Sequence, residues 1–342
     1  MNPPRILIVK LSALGDIIHT LPVLPAIKKR FPEGELFWLI EERFSPILWK
    51  NPYLTEIITV DTKKNRRKPL SAAKELIALK KKCSSLNLDI AIDFQGLIKS
   101  SLLSLISGAR LRLGYGKRDL REPFSRFFYH KKRDPLRSER HIVDKHLGLL
   151  SLIGVKKPEE VSFPICLSPE EEQTGEEFRK RAGGEFIIVN PAGGWENKCY
   201  PPDMFSRAGD IIKRKTKLPL FISHGPEERP LALRVKKGMK EKGELLPETR
   251  IRELAAIIKQ AALIISADTA PLHLASAFSI PTVGIYGPTD PLRNGPYWKG
   301  VTLYKKIDCS PCYKRRCHLS PPPCISAISP EEVAEKALSL LR

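Results

Sequence analysis

Short apolar runs alternate along this chain with polar turns and with stretches whose apolar residues recur every three or four positions, a pattern of strands followed by helices. Arg5–Lys10 predicts a first strand, which gives way to the loop Leu11-Ser-Ala-Leu-Gly-Asp16 and a helix running to about Arg30. Glu35–Ile40 and Ile57–Val60 predict further strands. A helix near Leu70–Cys83 leads to a strand at Leu88–Asp93, and another helix follows from Leu97. A basic, aromatic-bearing stretch from Gly114 to Arg140 interrupts the alternation before a helix at His141–Ile153. Such alternation argues for a parallel sheet with helices on both faces.

The pattern then restarts. Lys156-Lys-Pro-Glu-Glu has the composition of a linker, and Val161–Leu167 predicts a short extended segment. Phe186–Asn190 predicts a strand ending in Pro191-Ala-Gly-Gly194, and Leu218–Ser223 one ending in His224-Gly225-Pro226. Ala262–Ser266 and Thr282–Tyr286 follow. Four strands thus end in turns of small residues and proline, and open α/β sheets bind ligands outside the carboxyl ends of their strands. The expected class is α/β: two Rossmann-like, doubly wound domains facing a cleft, at residues 1–155 and 165–330, with a closing helix at 331–342 able to pack on either. No internal repeat or low-complexity tract is present.

Composition narrows the class. With 342 residues the chain is long enough for two ordinary domains, and 42% hydrophobic with 28% charged residues excludes a disordered chain. No apolar run approaches the ~20 residues of a membrane span. Arg5–Lys10 runs straight into a polar loop, unlike a signal peptide, so a cytoplasmic protein is expected. The 58 basic against 38 acidic residues leave a net charge of +20; residues 61–140 carry 21 Lys or Arg against 8 Asp or Glu, hence 13 of those charges. A field of this kind suits nucleic acid, an anionic membrane or a phosphorylated substrate, or serves only solubility. The runs Lys63-Lys64, Arg66-Arg67-Lys68, Lys80-Lys81-Lys82 and Lys131-Lys132-Arg133 cluster in one half, which favours a site.

The turn after Ala262–Ile265 carries the chemistry. In Ser266-Ala-Asp-Thr-Ala-Pro-Leu-His-Leu-Ala, Pro271 suits the first turn of a helix whose apolar face is Leu272, Leu274, Ala275 and Phe278. Backbone N–H groups at a strand-to-helix turn have no intrahelical acceptor and favour an anion. Asp268, Thr269 and His273 add a carboxylate, a hydroxyl and an imidazole, with Ala270 between them. The next strand ends in Gly287-Pro288-Thr289, a second polar turn at the same sheet edge. Together the two turns predict a phosphorylated ligand.

These residues carry a resemblance. Lys10-Leu-Ser-Ala-Leu-Gly-Asp-Ile-Ile-His-Thr-Leu-Pro22 resembles the opening motif of bacterial lipopolysaccharide heptosyltransferases, and Asp268-Thr-Ala-Pro-Leu-His-Leu-Ala with Tyr286-Gly-Pro-Thr-Asp-Pro resembles their nucleotide-sugar motif. Ile92-Asp-Phe-Gln-Gly-Leu-Ile-Lys-Ser, Arg121-Glu-Pro and Phe127-Phe-Tyr-His-Lys-Lys are similar to the first enzyme of that pathway. The resemblance implies the GT-B fold, no cofactor and no catalytic metal. It further implies inverting transfer of heptose from an ADP-heptose donor to a Kdo sugar of lipid A, on the cytoplasmic face of the inner membrane. The chain has no Asp-x-Asp signature for a metal-bound diphosphate.

It also implies roles. Asp16 matches the general base that takes the acceptor hydroxyl's proton; the residues alone favour a cap of the following helix instead. Lys198 matches a loop lysine that contacts the donor diphosphate. Glu228, or Glu227 beside it, matches a glutamate that binds the ribose, or either is a first-turn partner of the helix dipole. Asp268, Thr269, Ala270, His273, Gly287 and Thr289 complete the expected donor site. The expected acceptor site takes Ser12, Gly15, Lys63, Lys64, Arg66, Arg67, Gln95, Arg121 and His141. His19 follows Asp16 and is either near that site or an ordinary helix residue.

Cys309-x2-Cys312-x4-Cys317-x6-Cys324 has a spacing that can hold zinc or another soft metal, with disulfides as the rival. Three alternatives remain open: an enzyme that adds heptose to heptose, a two-Rossmann transferase with another nucleotide sugar, and a nucleic-acid-binding protein. No helix-turn-helix, RNP or zinc-finger signature supports the last, and no nucleic-acid partner is expected.

Overall fold

The structure, a computed structural model, describes residues 3–62 and 69–341, and side chains from residue 73 onward in the helix that opens at Pro69. The chain divides into two units, the first ending at Cys166 and the second beginning at Leu167.

In the first unit, six parallel strands, β1 (Arg5–Val9), β2 (Glu35–Glu41), β3 (Glu56–Val60), β4 (Ile90–Asp93), β5 (Leu111–Tyr115) and β6 (Lys131–Arg133), lie in the order β3-β2-β1-β4-β5-β6. Alternate residues face opposite sides. Leu7, Val9, Phe37 and Leu39 pack with Leu79, Cys83 and Leu103 of helices Pro69–Ser85 and Ile98–Ile106. Ile6, Ile8, Trp38 and Ile40, on the other alternation, are also fully buried. Burial on both faces explains why these strands appear as continuous apolar runs.

Two expectations change here. The single helix expected to reach Arg30 is two helices, Leu14–Thr20 and Val23–Arg30, with Pro22 at the junction. Proline has no N–H to continue the ladder, and its ring crowds the preceding turn. The stretch from Gly114 to Arg140 also contributes the end of β5 and all of β6. A Lys-Lys-Arg strand at a sheet edge has no apolar alternation to betray it, and such charges protect an edge from further pairing.

The second unit repeats the topology. Strands β7 (Ile187–Asn190), β8 (Leu220–Ile222), β9 (Glu244–Leu245), β10 (Leu263–Ala267), β11 (Thr282–Tyr286) and β12 (Gly300–Tyr304) form a parallel sheet in the order β12-β11-β10-β7-β8-β9. Read from its first strand, each sheet has the order 3-2-1-4-5-6, whose topological switch point lies between strands 1 and 4. Those are β1 and β4 in one unit, β7 and β10 in the other.

Val189, Ile222, Ile265 and Val283 form the second core with Phe205, Ala208 and Ile212 of helix Pro202–Thr216 and Val333, Ala334 and Ala337 of helix Pro330–Leu340. The closing helix therefore packs within the second unit. Val161–Leu167 forms no strand; instead the Pro164 carbonyl accepts from Asn51 Nδ2 at 2.7 Å within the first unit. A helix not anticipated from the sequence, Pro169–Arg181, opens with a capping box between Ser168 and Glu171. It lies so close to helix Ile251–Lys259 that a Cβ on Gly175 would sit 2.5 Å from the Ala256 carbonyl oxygen.

Candidate active site

In the second unit the chemistry gathers on Asp268, just beyond β10. One carboxylate oxygen, Oδ2, accepts from Lys198 Nζ at 2.7 Å, Thr289 Oγ1 at 2.8 Å and Asn294 Nδ2 at 3.0 Å. The other, Oδ1, lies 3.2 Å from His273 Nε2. Lys198 also donates to the Asp268 carbonyl and lies over the Trp195 ring. Burial opposes ionisation of Asp268, but the hydrogen bond from His273 and the charge of Lys198 outweigh it and hold the carboxyl well below the usual carboxylate range. The residue is a fixed anion in a buried, cationic pocket.

Local structure explains how these side chains meet. Thr269 occupies the N-cap position of helix Ala270–Ala277 in an extended conformation, with Pro271 in the first turn, so that the helix begins immediately after Asp268 and Thr269. His273 Nε2 therefore returns to Asp268 from the same helix. Thr289 arrives from the turn after β11, so the two polar turns recognised in the sequence are joined by a hydrogen bond. Gly287 is packed under them, where a Cβ would lie 3.0 Å from Cys324 Sγ and 3.1 Å from Ile325 Cβ. Glu228 accepts from Gly225 N at 2.9 Å and closes its own turn, while Glu227 is exposed.

Asn294 and a second set of residues escaped sequence reasoning. Asn190 Nδ2 donates to Ser266 Oγ at 3.2 Å, and Ser223 Oγ donates to Asn190 Oδ1 at 2.9 Å. This ties the carboxyl ends of β7, β8 and β10 together beneath the site. The only signal was position: each is a polar residue at the end of an apolar run.

In the first unit Ser12, Gly15, Asp16 and Gln95 lie in the loops that follow β1 and β4. Gln95 Oε1 accepts from the N–H groups of Leu11 at 3.1 Å and Ser12 at 3.2 Å, so Gln95 holds the loop that carries Ser12, Gly15 and Asp16. Asp16 Oδ2 accepts from Ala13 N at 3.2 Å, and the carboxylate is partly exposed. His19 is buried, with its ring edge-to-face on His141 at 5.5 Å between centroids. His141 caps helix Ile142–Leu149 by accepting from Val143 N. Arg121 is exposed, beside Glu122, which accepts from Ile98 N at 2.8 Å. Lys63, Lys64, Arg66 and Arg67 lie outside the described residues.

Beneath this loop Asp93 is fully buried and accepts from Tyr129 OH at 2.6 Å, Ser100 Oγ at 2.7 Å and the N–H groups of Gln95 at 2.8 Å and Gly96 at 3.1 Å. Burial pushes its carboxyl above the ordinary range, against those hydrogen bonds. Neither Asp93 nor Tyr129 was singled out from the sequence.

Among the described residues, no group of three or more His, Cys, Asp and Glu is arranged to hold a metal ion, and all seven cysteines are free thiols; burial, and then the nearby Cys312, Cys309 and Cys317, push the Cys324 thiol up. The segment packs around the site. Ser310 Oγ donates to the Gly287 carbonyl, Tyr313 N to the Pro288 carbonyl at 2.8 Å, and the Lys314 carbonyl accepts from Asn197 Nδ2 at 2.6 Å.

Residues 76–322 match the model of glycosyltransferase family 9 (heptosyltransferase). The chain is 26% identical to lipopolysaccharide heptosyltransferase 1 of Pseudomonas aeruginosa over 356 aligned positions, covering 98% of each chain. Among solved structures, a family 9 glycosyl transferase from Veillonella parvula superposes with a TM-score of 0.84 at 24% identity, over 100% of this chain and 98% of that one. The Escherichia coli heptosyltransferase WaaC with ADP-2-deoxy-2-fluoro heptose superposes with a TM-score of 0.75 at 25% identity, over 97% and 98%. The two-Rossmann architecture is that of these GT-B enzymes.

Proposed function

Because this chain belongs to glycosyltransferase family 9, the heptosyltransferase family, we propose that it transfers heptose from ADP-heptose to a Kdo sugar of lipid A, with inversion at the anomeric carbon. The observation that carries this reading is the Asp268 network: a buried carboxylate that fixes an ammonium, an amide and a hydroxyl around a strand-to-helix turn. The ADP-heptose analogue bound to the E. coli relative supports the donor.

Lys198 then meets the donor diphosphate as a point charge, aided by the N–H groups of Thr269 and Ala270 at the helix start. Asp268 does not touch the anion; it holds the Lys198 ammonium in place before the donor arrives, so no reorganisation is needed when the leaving diphosphate gains charge. Asp16 is the general base. Its Oδ2 is occupied by Ala13 N, and its Oδ1, without a partner among the described residues, takes the proton of the attacking hydroxyl. Capping and catalysis are thus two uses of one carboxylate. Exposed Arg121 and the basic residues of the first unit receive the acceptor's carboxylates and phosphates, and bring the enzyme to the anionic cytoplasmic face of the inner membrane. No nucleic-acid partner and no cofactor enter this reading.

The test is ADP release from ADP-heptose in the presence of Kdo–lipid A, for the wild type and Asp16→Ala. Loss of about 10²–10⁴-fold in rate with ADP affinity unchanged is expected. Full activity in the variant reduces Asp16 to a helix cap; absence of ADP binding in the wild type overturns the donor assignment.

A further inference from the structure

Helix Ile98–Ile106 has two apolar faces. Leu103, with Ile106 beside it, packs inward on the first core. Ile98, Leu102 and Leu105 follow the i, i+4, i+7 spacing of a second stripe, and they are 38%, 38% and 41% exposed. The turn Pro123–Phe128 extends that stripe. It is docked at the helix start by the Glu122 contact to Ile98 N, and by buried Ser125, whose Oγ donates to the Gly96 carbonyl at 3.3 Å. From this fixed turn Phe124 and Phe127 project outward, 71% and 66% exposed, with ring centroids 6.1 Å apart. Five neighbouring apolar side chains leave on the order of 400 Å² in water, the size of a functional patch rather than scattered exposure.

We infer that this face inserts into the surface of an anionic lipid bilayer, so that the enzyme is held by apolar contact as well as by charge. The inference rests on the reading of the acceptor as a membrane lipid. What selects the occupant is the charge around the patch. Arg126 lies 4.9 Å from the Phe127 ring, Arg121 is exposed at the start of the same turn, and Lys131 and Lys132 are exposed just after it. Aromatic rings with a basic surround are the signature of a protein surface seated at the boundary of headgroups and acyl chains. A second copy of the chain would set these like charges against one another.

The experiment is flotation of the full-length protein with vesicles of phosphatidylglycerol and phosphatidylethanolamine, and with vesicles of phosphatidylcholine alone, at low and high salt. The wild type and the double variant Phe124→Ser, Phe127→Ser are compared. Removing both exposed rings is expected to lower partitioning into anionic vesicles by about tenfold or more at either salt concentration. ADP affinity, melting temperature and transfer to detergent-dispersed acceptor should be unchanged. Equal partitioning of the two proteins, or complete release of the wild type by salt, overturns apolar insertion. A wild-type dimer that the double variant converts to monomer, with equal vesicle binding, assigns the face to self-association instead. Failure of the wild type to transfer to dispersed acceptor would overturn the functional reading, and is scored separately from partitioning.

Discussion

Asp93 ends β4, and Asp268 follows β10, which holds the corresponding place in the second sheet. Both are buried, and both collect four partners beside a topological switch point. The partners differ in kind. Asp93 is held by two hydroxyls and two backbone N–H groups, so burial dominates and its carboxyl is pushed up. Asp268 faces an ammonium and an imidazole as well as Thr289 and Asn294, and its carboxyl is pulled down. The same strand end thus serves as an anchor in one unit and as an ionic site in the other. What distinguishes them is whether the neighbouring loop supplies a cation.

The largest expected effect is at Asp268. Asp268→Ala leaves the partly buried Lys198 without its carboxylate and should cost the second unit about 3 kcal/mol in urea denaturation, with loss of ADP binding by calorimetry. A cost below 1 kcal/mol would mean that the pair is not a stabilising ionic site. Next comes Glu171, which receives a bidentate contact from the nearly buried Arg252 and is held down at about 2 by it. A lowered carboxyl stabilises the fold above its unfolded value, near 4.3, and that stability drains away as pH falls towards the folded value. Glu171→Gln should therefore cost about 2 kcal/mol at neutral pH and progressively less below pH 4; a pH-independent cost would remove the ionic account.

Smaller effects are expected in the first unit. Tyr129→Phe removes one hydrogen bond to Asp93 and should cost about 1 kcal/mol. Asp93→Asn should cost less still, because a group whose folded value is raised loses stability as pH rises through that window. The amide avoids this loss and keeps an acceptor for Gln95 and Gly96. If Asp93→Asn proved as damaging as Asp268→Ala, the contrast between anchor and ionic site would collapse.

The Asp268 turn was legible because its parts are local. Asp268, Thr269 and His273 lie within six residues, and Thr289 sits at the end of the next strand, so strand-turn-helix reasoning brings them to one edge. Asn294 belongs to the four-residue helix Pro291–Asn294, which has no periodicity to reveal it. The β9 and β12 strands were missed for related reasons: β9 has two residues, and β12 is a partly exposed edge. Gln95 was recognised as part of a motif, but its contact with the Leu11–Ser12 loop joins residues 84 and 83 positions apart. Likewise the cysteine segment was legible only as a spacing, because its hydrogen bonds to the turn at Gly287 and Pro288 and to the loop at Asn197 join residues far apart in the sequence.

By itself, then, the sequence determined the doubly wound class and the turn chemistry at the strand ends, because burial on both sheet faces and the dihedral demands of strand-to-helix turns are written in neighbouring residues. Only the tertiary structure decided which of two buried aspartates is ionic, and which apolar helix face stays in water. Both depend on side chains brought from distant loops, and the free energy of a buried charge or an exposed stripe belongs to its surroundings rather than to its own segment.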